Sequence, residues 1–517
     1  MSIQKARQII RVLGLFLILA VVLSLSAAKL DPVYERGLNT IRWSSVYDYN
    51  RMLASDRFGG RFNADPAFID MVKWVSAKYK EWGLKPLNSK DGYAQPYPFT
   101  YTVVDKADLT LFIPEKKPAP PQAPGAPSPS PAVQEQRPQS AAAPSLKETK
   151  LEPAVDFLPY LSTGSGSVDS AELVFAGYGL SAPELGYDDF AGLDVQGKFV
   201  LCFSGSPDPE NEKFSEAAKN SMKTARQKGV LGFLRISNPI GHPNSDNYVD
   251  GFIPAMISEK IADSILDERG LTSAKLRDDL RLYKRPLAFA LSTKVRYRVE
   301  SRHFDKATAF NIVGYLEGAD PKLKDEVVLY GAHVDHVGRP MGVLFPGAND
   351  NASGSAVVMQ IAEAFAKMGR RPKRTVAFGL FSGEEYGILG SQHFAKNLPP
   401  QFKKIDVMIN FDMVGEGDGA RASCSAKPDE LKKCIEEAGS IVKILRGEVR
   451  ISEPKRIGGT DHTAFAVILH CPTASFGSNG PHLAYHLPGD TIFRVNPDIM
   501  AEIAKAAYLS GALFADR

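Results

Sequence analysis

The chain is poor in cysteine, with only Cys202, Cys424, Cys434 and Cys471 among 517 residues. Their spacing matches no zinc finger, and a chain of this length can bury a sizeable core without a disulfide framework. Cys202 lies in the apolar run 199–203 and reads as a buried thiol, whereas Cys424 and Cys434 could form a bridge in an oxidising compartment. Charge imbalance is small as well. A formal net charge of +3, with no long basic run, points away from nucleic acid and from a strongly acidic partner. Histidine is scarce and uneven: there are nine, and eight lie beyond residue 300, His242 being the exception. Metal or acid-base chemistry is therefore sought in the C-terminal half.

The N-terminus carries Lys5, Arg7 and Arg11, then the apolar run 12–25, then Ser26, Ala27 and Ala28. That order predicts an export signal over 1–28, with the basic residues held on the cytoplasmic side and the small residues offering a cleavage site. The run falls short of the roughly 20 apolar residues of a spanning helix, which favours cleavage over a retained signal anchor. Only that segment, if uncleaved, would touch a membrane. No cysteine follows it directly, so a lipidated N-terminal cysteine is excluded.

Between 114 and 155 the composition turns to proline, alanine, serine and glutamine, which cannot bury enough surface to fold and predicts a linker. Before it, 29–113 reads as the first part of the main domain. There Asp65 and Pro66 make an N-cap and first helical position, and Phe68, Val72, Val75 and Tyr79 recur at helical spacing until Gly83. After it, 156–292 predicts a modest inserted α+β domain, with strands at 171–176, 199–203 and 231–236 and a helix over 214–228. From 293 to 517, apolar runs at 327–330, 375–381, 407–411 and 473–476 alternate with helical patterns such as 353–367. The fold class is thus α/β: a mainly parallel mixed sheet with helices on both faces, whose ligands bind beyond the carboxyl ends of the strands.

Candidate ligands stand at those ends. The first run leads into His333 and Asp335, the second into Glu384 and Glu385, the third into Asp412. Asp350 sits in the loop 347–354 at a helix start, where its two oxygens could bridge two metals, and His486 in the segment 485–491 supplies a second imidazole. Asp335, two residues after His333 in extended chain, points to the same side and is placed to accept the other imidazole N–H.

With these motifs in this order, the sequence resembles the co-catalytic zinc exopeptidases that include bacterial leucyl aminopeptidases and glutamate carboxypeptidases. The resemblance implies two zinc ions per chain, held by His333, Asp350, Glu385, Asp412 and His486 with Asp350 shared. It implies Glu384 as general base, Asp335 as the other catalytic candidate, and a metal-bridging hydroxide as nucleophile on a peptide substrate. It also likens 156–292, through 174–179 and 188–198, to a protease-associated domain. Donor chemistry agrees: imidazole and carboxylate suit zinc and leave open positions. Three carboxylates with two divalent ions and one hydroxide make a nearly neutral cluster.

The segment 459–465, with Asp461 and His462, resembles a family motif beside the substrate pocket, although threonine precedes the aspartate here. His336, His393 and His470 read as structural. The expected activity is that of an exported aminopeptidase. The rivals are a carboxypeptidase on the same scaffold, a single-zinc glutaminyl cyclase, against which His333 counts, and a non-catalytic receptor-like binding protein.

Overall fold

Strands buried on both faces read as continuous apolar runs, and this chain has four of them side by side. In the computed structural model, described for residues 30–115, 145–237, 248–424, 429–442, 450–452 and 458–517, Thr375–Phe381 is buried along its whole length. It pairs in parallel with Glu326–His333, which pairs in parallel with Lys404–Phe411, which does the same with Thr473–Ser478. Successive side chains point to opposite faces. Val328, Tyr330 and Ala332 enter one core, with Val357 and Ile361 of the helix Gly354–Lys367 and Ile503 and Leu509 of Pro497–Ala515. Val327 and Leu329 enter the other, with Phe394 of Leu389–Lys396 and Phe465 of His462–Ile468. Helices therefore cover both faces, as the alternation of runs and helical patterns predicts.

The helix Pro66–Glu81 forms where the sequence places it. The Asp65 carboxylate accepts the Ala67 N–H at 2.8 Å, and Phe68, Val72, Val75 and Tyr79 are buried. Gly314, on a strand beneath it, has no room for a Cβ, because the Tyr79 ring would stand 2.8 Å away.

All but two short strands of the described residues belong to one 15-stranded sheet. What joins its two halves is a single strand of 29 residues, Ala288–Leu316. It pairs antiparallel with Thr375–Phe381, with Ala94–Pro114, and with Gly166–Ala176. Beyond Gly166–Ala176 lie Phe199–Phe203, Gly232–Ser237 and Ala255–Ser258 in parallel, then Phe157–Pro159 antiparallel. These strands enclose a second core containing Phe175, Leu201, Leu234, Ile257 and Ile265, to which Val295 and Tyr297 of the long strand contribute. The expected boundary at 292/293 thus falls inside a strand that serves both cores.

Two further expectations change. The helix over 214–228 is two helices, Glu212–Lys219 and Ser221–Gln227. Asn220 stands between them and its side-chain amide donates to the Glu216 carbonyl, the local competition by which asparagine interrupts helices. The linker over 114–155 ends in structure: Leu146–Lys150, free of proline, pairs with 110–114.

Cys202, Cys434 and Cys471 are buried free thiols, so Cys434 forms no bridge with Cys424. The proposed export segment 1–28, residues 116–144 of the tract, and His242 lie outside the described residues. No helix of the described residues is long and apolar enough to cross a membrane.

Candidate metal centre

Parallel strands end on the same edge, and four of them bring chemistry there. His333 is the last residue of its strand, Glu384 and Glu385 follow Phe381 by three and four residues, Asp412 follows Phe411 directly, and the chain leaving Ser478 returns with His486. Asp350 arrives from a different direction, in the turn of Ala348–Ser353 that leads into the buried helix Gly354–Lys367.

The five expected ligands converge. His333 Nε2 lies 3.3 Å from Asp350 Oδ1 and 3.5 Å from Asp412 Oδ1. His486 Nε2 lies 3.1 Å from Asp350 Oδ2 and 3.0 Å from Glu385 Oε2. The two carboxylate oxygens of Asp350 therefore face two different imidazoles. Donor atoms of His333, Asp350 and Asp412 lie within 4.8 Å of one another, and so do those of His336, Asp350, Glu385 and His486. Glu384 Oε2 stands 4.0 Å from His333 Nε2, beside the first set.

Whether this cluster suits cations can be judged from its own charges. Asp350, Glu385 and Asp412 find only imidazoles within ion-pair distance among the described residues, with no lysine or arginine. Asp350 Oδ2 is buried and makes no hydrogen bond of acceptable geometry, although His486 is 3.1 Å away. Burial would lower the pKa of His486, yet Glu385 and Asp350 overcome it and push it up to about 11. For His333 burial likewise lowers, while Glu384, Asp350 and Asp412 carry it well above the imidazole range. Such concentrated buried anionic charge calls for positive charge between the ligands, and a mixed imidazole and carboxylate set with open positions fits zinc.

The surroundings depart from expectation in instructive ways. Asp335 does not hold His333 through its carboxylate. The His333 Nδ1 partner is the Asp335 backbone carbonyl at 3.2 Å, with the nearer carboxylate oxygen 3.9 Å off. That oxygen instead accepts the Glu384 N–H at 3.2 Å, so Asp335 aligns the residue proposed as base. The regular strand ends at His333, so the extended geometry the two-residue spacing assumes is not carried through to Asp335. His336, read as structural, belongs to the site: it is fully buried, and its Nδ1 lies 2.7 Å from Glu385 Oε1. Its signal was its position three residues past His333 in the same strand-end loop.

Asp461 and His462 are buried near the cluster, and both Asp461 oxygens lack a well-formed hydrogen bond. His482 sits outside the ligand sets, with Nδ1 3.0 Å from Asn349 Nδ2. His393 stacks on Tyr97.

Two positioning residues complete the site, Asp490 of the motif segment 485–491 and Arg61, which had no sequence signal. Asp490 accepts the N–H groups of Asn349 and Asp350, each at 2.9 Å, and so fixes the bridging loop to the segment that carries His486. Arg61, from the N-terminal part of the chain, is completely buried and donates to the carbonyls of Val334, Leu53, Pro346, Gly347 and Asp350. Burial lowers its pKa to about 10, opposed by Asp490 and Asp350. It ties the two ligand loops together from behind and adds a fixed positive charge.

Known proteins resemble parts of this chain in sequence and nearly all of it in fold. Residues 311–510, which hold every ligand candidate, match the model for Peptidase family M28. Leupeptin-inactivating enzyme 1 of Streptomyces exfoliatus is 38% identical over 110 residues, covering 21% of this chain and 23% of its own length. An aminopeptidase of Pseudomonas aeruginosa strain UCBPP-PA14 is 35% identical over 153 residues, covering 28% and 26%. The chain thus matches about a quarter of the length of each of these curated relatives. Over nearly the whole chain the fold resembles that of a solved aminopeptidase from Aneurinibacillus sp. strain AM-1, with TM-score 0.61, 19% identity, and 93% and 95% of the two chains covered. A peptidase M28 precursor from Shewanella amazonensis SB2B gives TM-score 0.65 at 18% identity, covering 94% and 96%. The segment that holds the site, residues 311–510, is thus similar to Peptidase family M28, in line with the resemblance to co-catalytic zinc exopeptidases.

Proposed function

We propose that this chain is an exported, zinc-dependent aminopeptidase that holds two ions per chain. The observation that carries the reading is the shared Asp350, whose oxygens face His333 with Asp412 on one side and His486 with Glu385 on the other. Two cations held there would polarise a peptide carbonyl and acidify the attacking water. The chain's own groups do the rest. Glu384, whose only ion-pair partner among the described residues is the His333 imidazole at 4.0 Å, is placed to take a proton from that water and deliver it to the leaving amine. Asp335 holds its backbone in place. Asp350, His333 and His486 sit in a rigid, buried frame set by Arg61 and Asp490, so ligand geometry needs little reorganisation during turnover.

The amino-terminal polarity is supported by the acidic character of the site, where Glu384, Asp412 and Asp461 surround the space beside His333, and by the name of the Pseudomonas relative. Export is supported by the basic, apolar and small-residue order of 1–28. The lobe over 156–292 is proposed as a protease-associated domain. The test is metal analysis with substrate polarity: two zinc ions per chain, cleavage of a carboxyl-amidated peptide, and none of its amino-acetylated counterpart. The reverse substrate pattern would make the enzyme a carboxypeptidase, and a metal-free protein would remove the reading altogether.

A further inference from the structure

The end of the fold away from the metal centre carries cations that no carboxylate holds. The helix Gly354–Lys367 starts just after Asp350, and its 14 residues, at about 1.5 Å each, set Lys367 roughly 20 Å behind the ligands. The loop 368–374 then enters the strand Thr375–Phe381 at the end opposite Glu384 and Glu385. Beside Lys367 and Glu363, Arg36 of the helix Pro32–Thr40 and Arg42, next to the helix Trp43–Leu53, line a cleft of about 450 Å³. Lys367 pairs with Glu363 and Arg370 with Asp516, carboxylates that are mostly buried. Arg36, Arg42, Arg371 and Lys373 are exposed and form no ion pair among the described residues; Arg36 Nε donates instead to the Met368 carbonyl at 3.0 Å. Against them stand the exposed Asp31, which caps its helix, and Glu35, while Glu317, near Arg371, pairs with Lys85. A positive excess remains.

The same face exposes an indole. Trp43 is 56% exposed, whereas Trp74 and Trp82 pack beside Tyr49 against the core. Trp43 opens its helix, and the far end of that helix turns to the metal side, where Asn50 donates to the Ala348 carbonyl at 3.0 Å. A tryptophan beside arginines suits the boundary between lipid headgroups and acyl chains, which meets both its apolar ring and its N–H. The export segment joins the fold here too. Residues 26–31, which separate the apolar run 12–25 from Pro32, reach at most about 20 Å. The helix they lead into is fixed to the body: the Tyr34 hydroxyl donates to Asp516 at 2.6 Å, and a Cβ on Gly37 would stand 1.9 Å from the Tyr508 hydroxyl oxygen.

We infer that this face, centred on Arg36, Arg42, Lys367 and Trp43, docks the protein on a bilayer that contains anionic phospholipid and turns the metal centre to the aqueous side. The sequence leaves only 1–28 to touch a membrane; the fold adds a second contact, which acts whether or not that segment is removed. Each basic side chain close to such a surface adds attraction, which salt screens. The docking does not depend on the reaction proposed above.

The test mixes the full-length, zinc-loaded protein with vesicles of phosphatidylcholine alone, or of phosphatidylcholine with phosphatidylglycerol, each carrying acyl-brominated lipid that quenches nearby tryptophan. Trp43→Phe supplies the background from Trp74 and Trp82. Phosphatidylglycerol should tighten the affinity read from Trp43 quenching at least about tenfold, and added salt should reverse the gain. Arg36→Gln combined with Arg42→Gln should cut that gain at least about threefold, with zinc content and hydrolysis of a soluble peptide amide kept at parental values. Quenching indifferent to phosphatidylglycerol overturns the docking face and leaves an apolar anchor alone. Vesicles that carry the protein without quenching Trp43, or a protein that binds neither vesicle, overturn it equally, and none of these results touches the metal centre.

Discussion

Glu384 and Glu385 are neighbours in the chain yet meet different partners, Glu385 bonded to His336 and His486, Glu384 facing His333 with its N–H held by Asp335. Replacing Glu384 by Gln keeps shape and removes the proton acceptor. Metal content should be unchanged while kcat falls by about 10²–10⁴, the usual worth of a positioned general base, read from zinc analysis and steady-state kinetics together. Asp490→Asn tests placement instead. A carboxylate accepts from both Asn349 and Asp350, whereas an amide must turn a donor toward one of those N–H groups. Zinc affinity measured by chelator competition should drop about 10- to 100-fold with the fold retained. The five candidate ligands were legible because each occupies a strand end or a marked loop. His336 was less so, since a position three residues past a candidate ligand proves nothing until its contact with Glu385 is seen. Arg61 was not legible at all, because its five carbonyl acceptors come from distant backbone and leave no pattern in the sequence.

Elements set the ligand positions through packing. The helix Pro497–Ala515 lies on the sheet with Gly511 over Tyr330, whose hydroxyl donates to the Ala507 and Tyr508 carbonyls. A Cβ at Gly511 would stand 1.8 Å from that hydroxyl oxygen, so the helix or the tyrosine must move. Gly511→Ala should destabilise the protein by about 1–3 kcal/mol, measured by denaturant unfolding, even though alanine is the better helix former. Undiminished stability would mean that this contact yields easily. Strand identities here followed from unbroken apolar runs, and the Pro66–Glu81 helix from its cap and spacing. The break at Asn220 and the reach of Ala288–Leu316 did not, because alternation in a strand shows neither how many neighbours it has nor where one core passes to the next.

At the scale of the whole molecule, that 29-residue strand makes the two lobes one cooperative structure. It bonds to Thr375–Phe381 at one end and to Gly166–Ala176 at the other, and it supplies side chains to both cores. Neither lobe can unfold without stripping a partner from the other, so a change made in the second lobe should be felt in the peptidase domain. Asp189 offers the means. Its buried carboxylate accepts the N–H groups of Tyr178 and Leu180 through one oxygen, and burial raises its pKa to about 7, against those hydrogen bonds. The folded state therefore holds this proton more tightly than the unfolded chain, whose aspartate titrates near 3.8. The stability it contributes is fully present below about pH 4 and is lost as pH rises toward and through about 7, a cost on the order of 4 kcal/mol at pH 8. In Asp189→Asn the amide oxygen can accept both N–H groups without a charge to bury. The variant should unfold at a higher temperature than the parent at pH 8, and the gap should close toward pH 4. The rise should appear in a single transition that also releases bound zinc. Two transitions, with zinc released in the one that the substitution leaves unmoved, would show that the long strand does not couple the lobes.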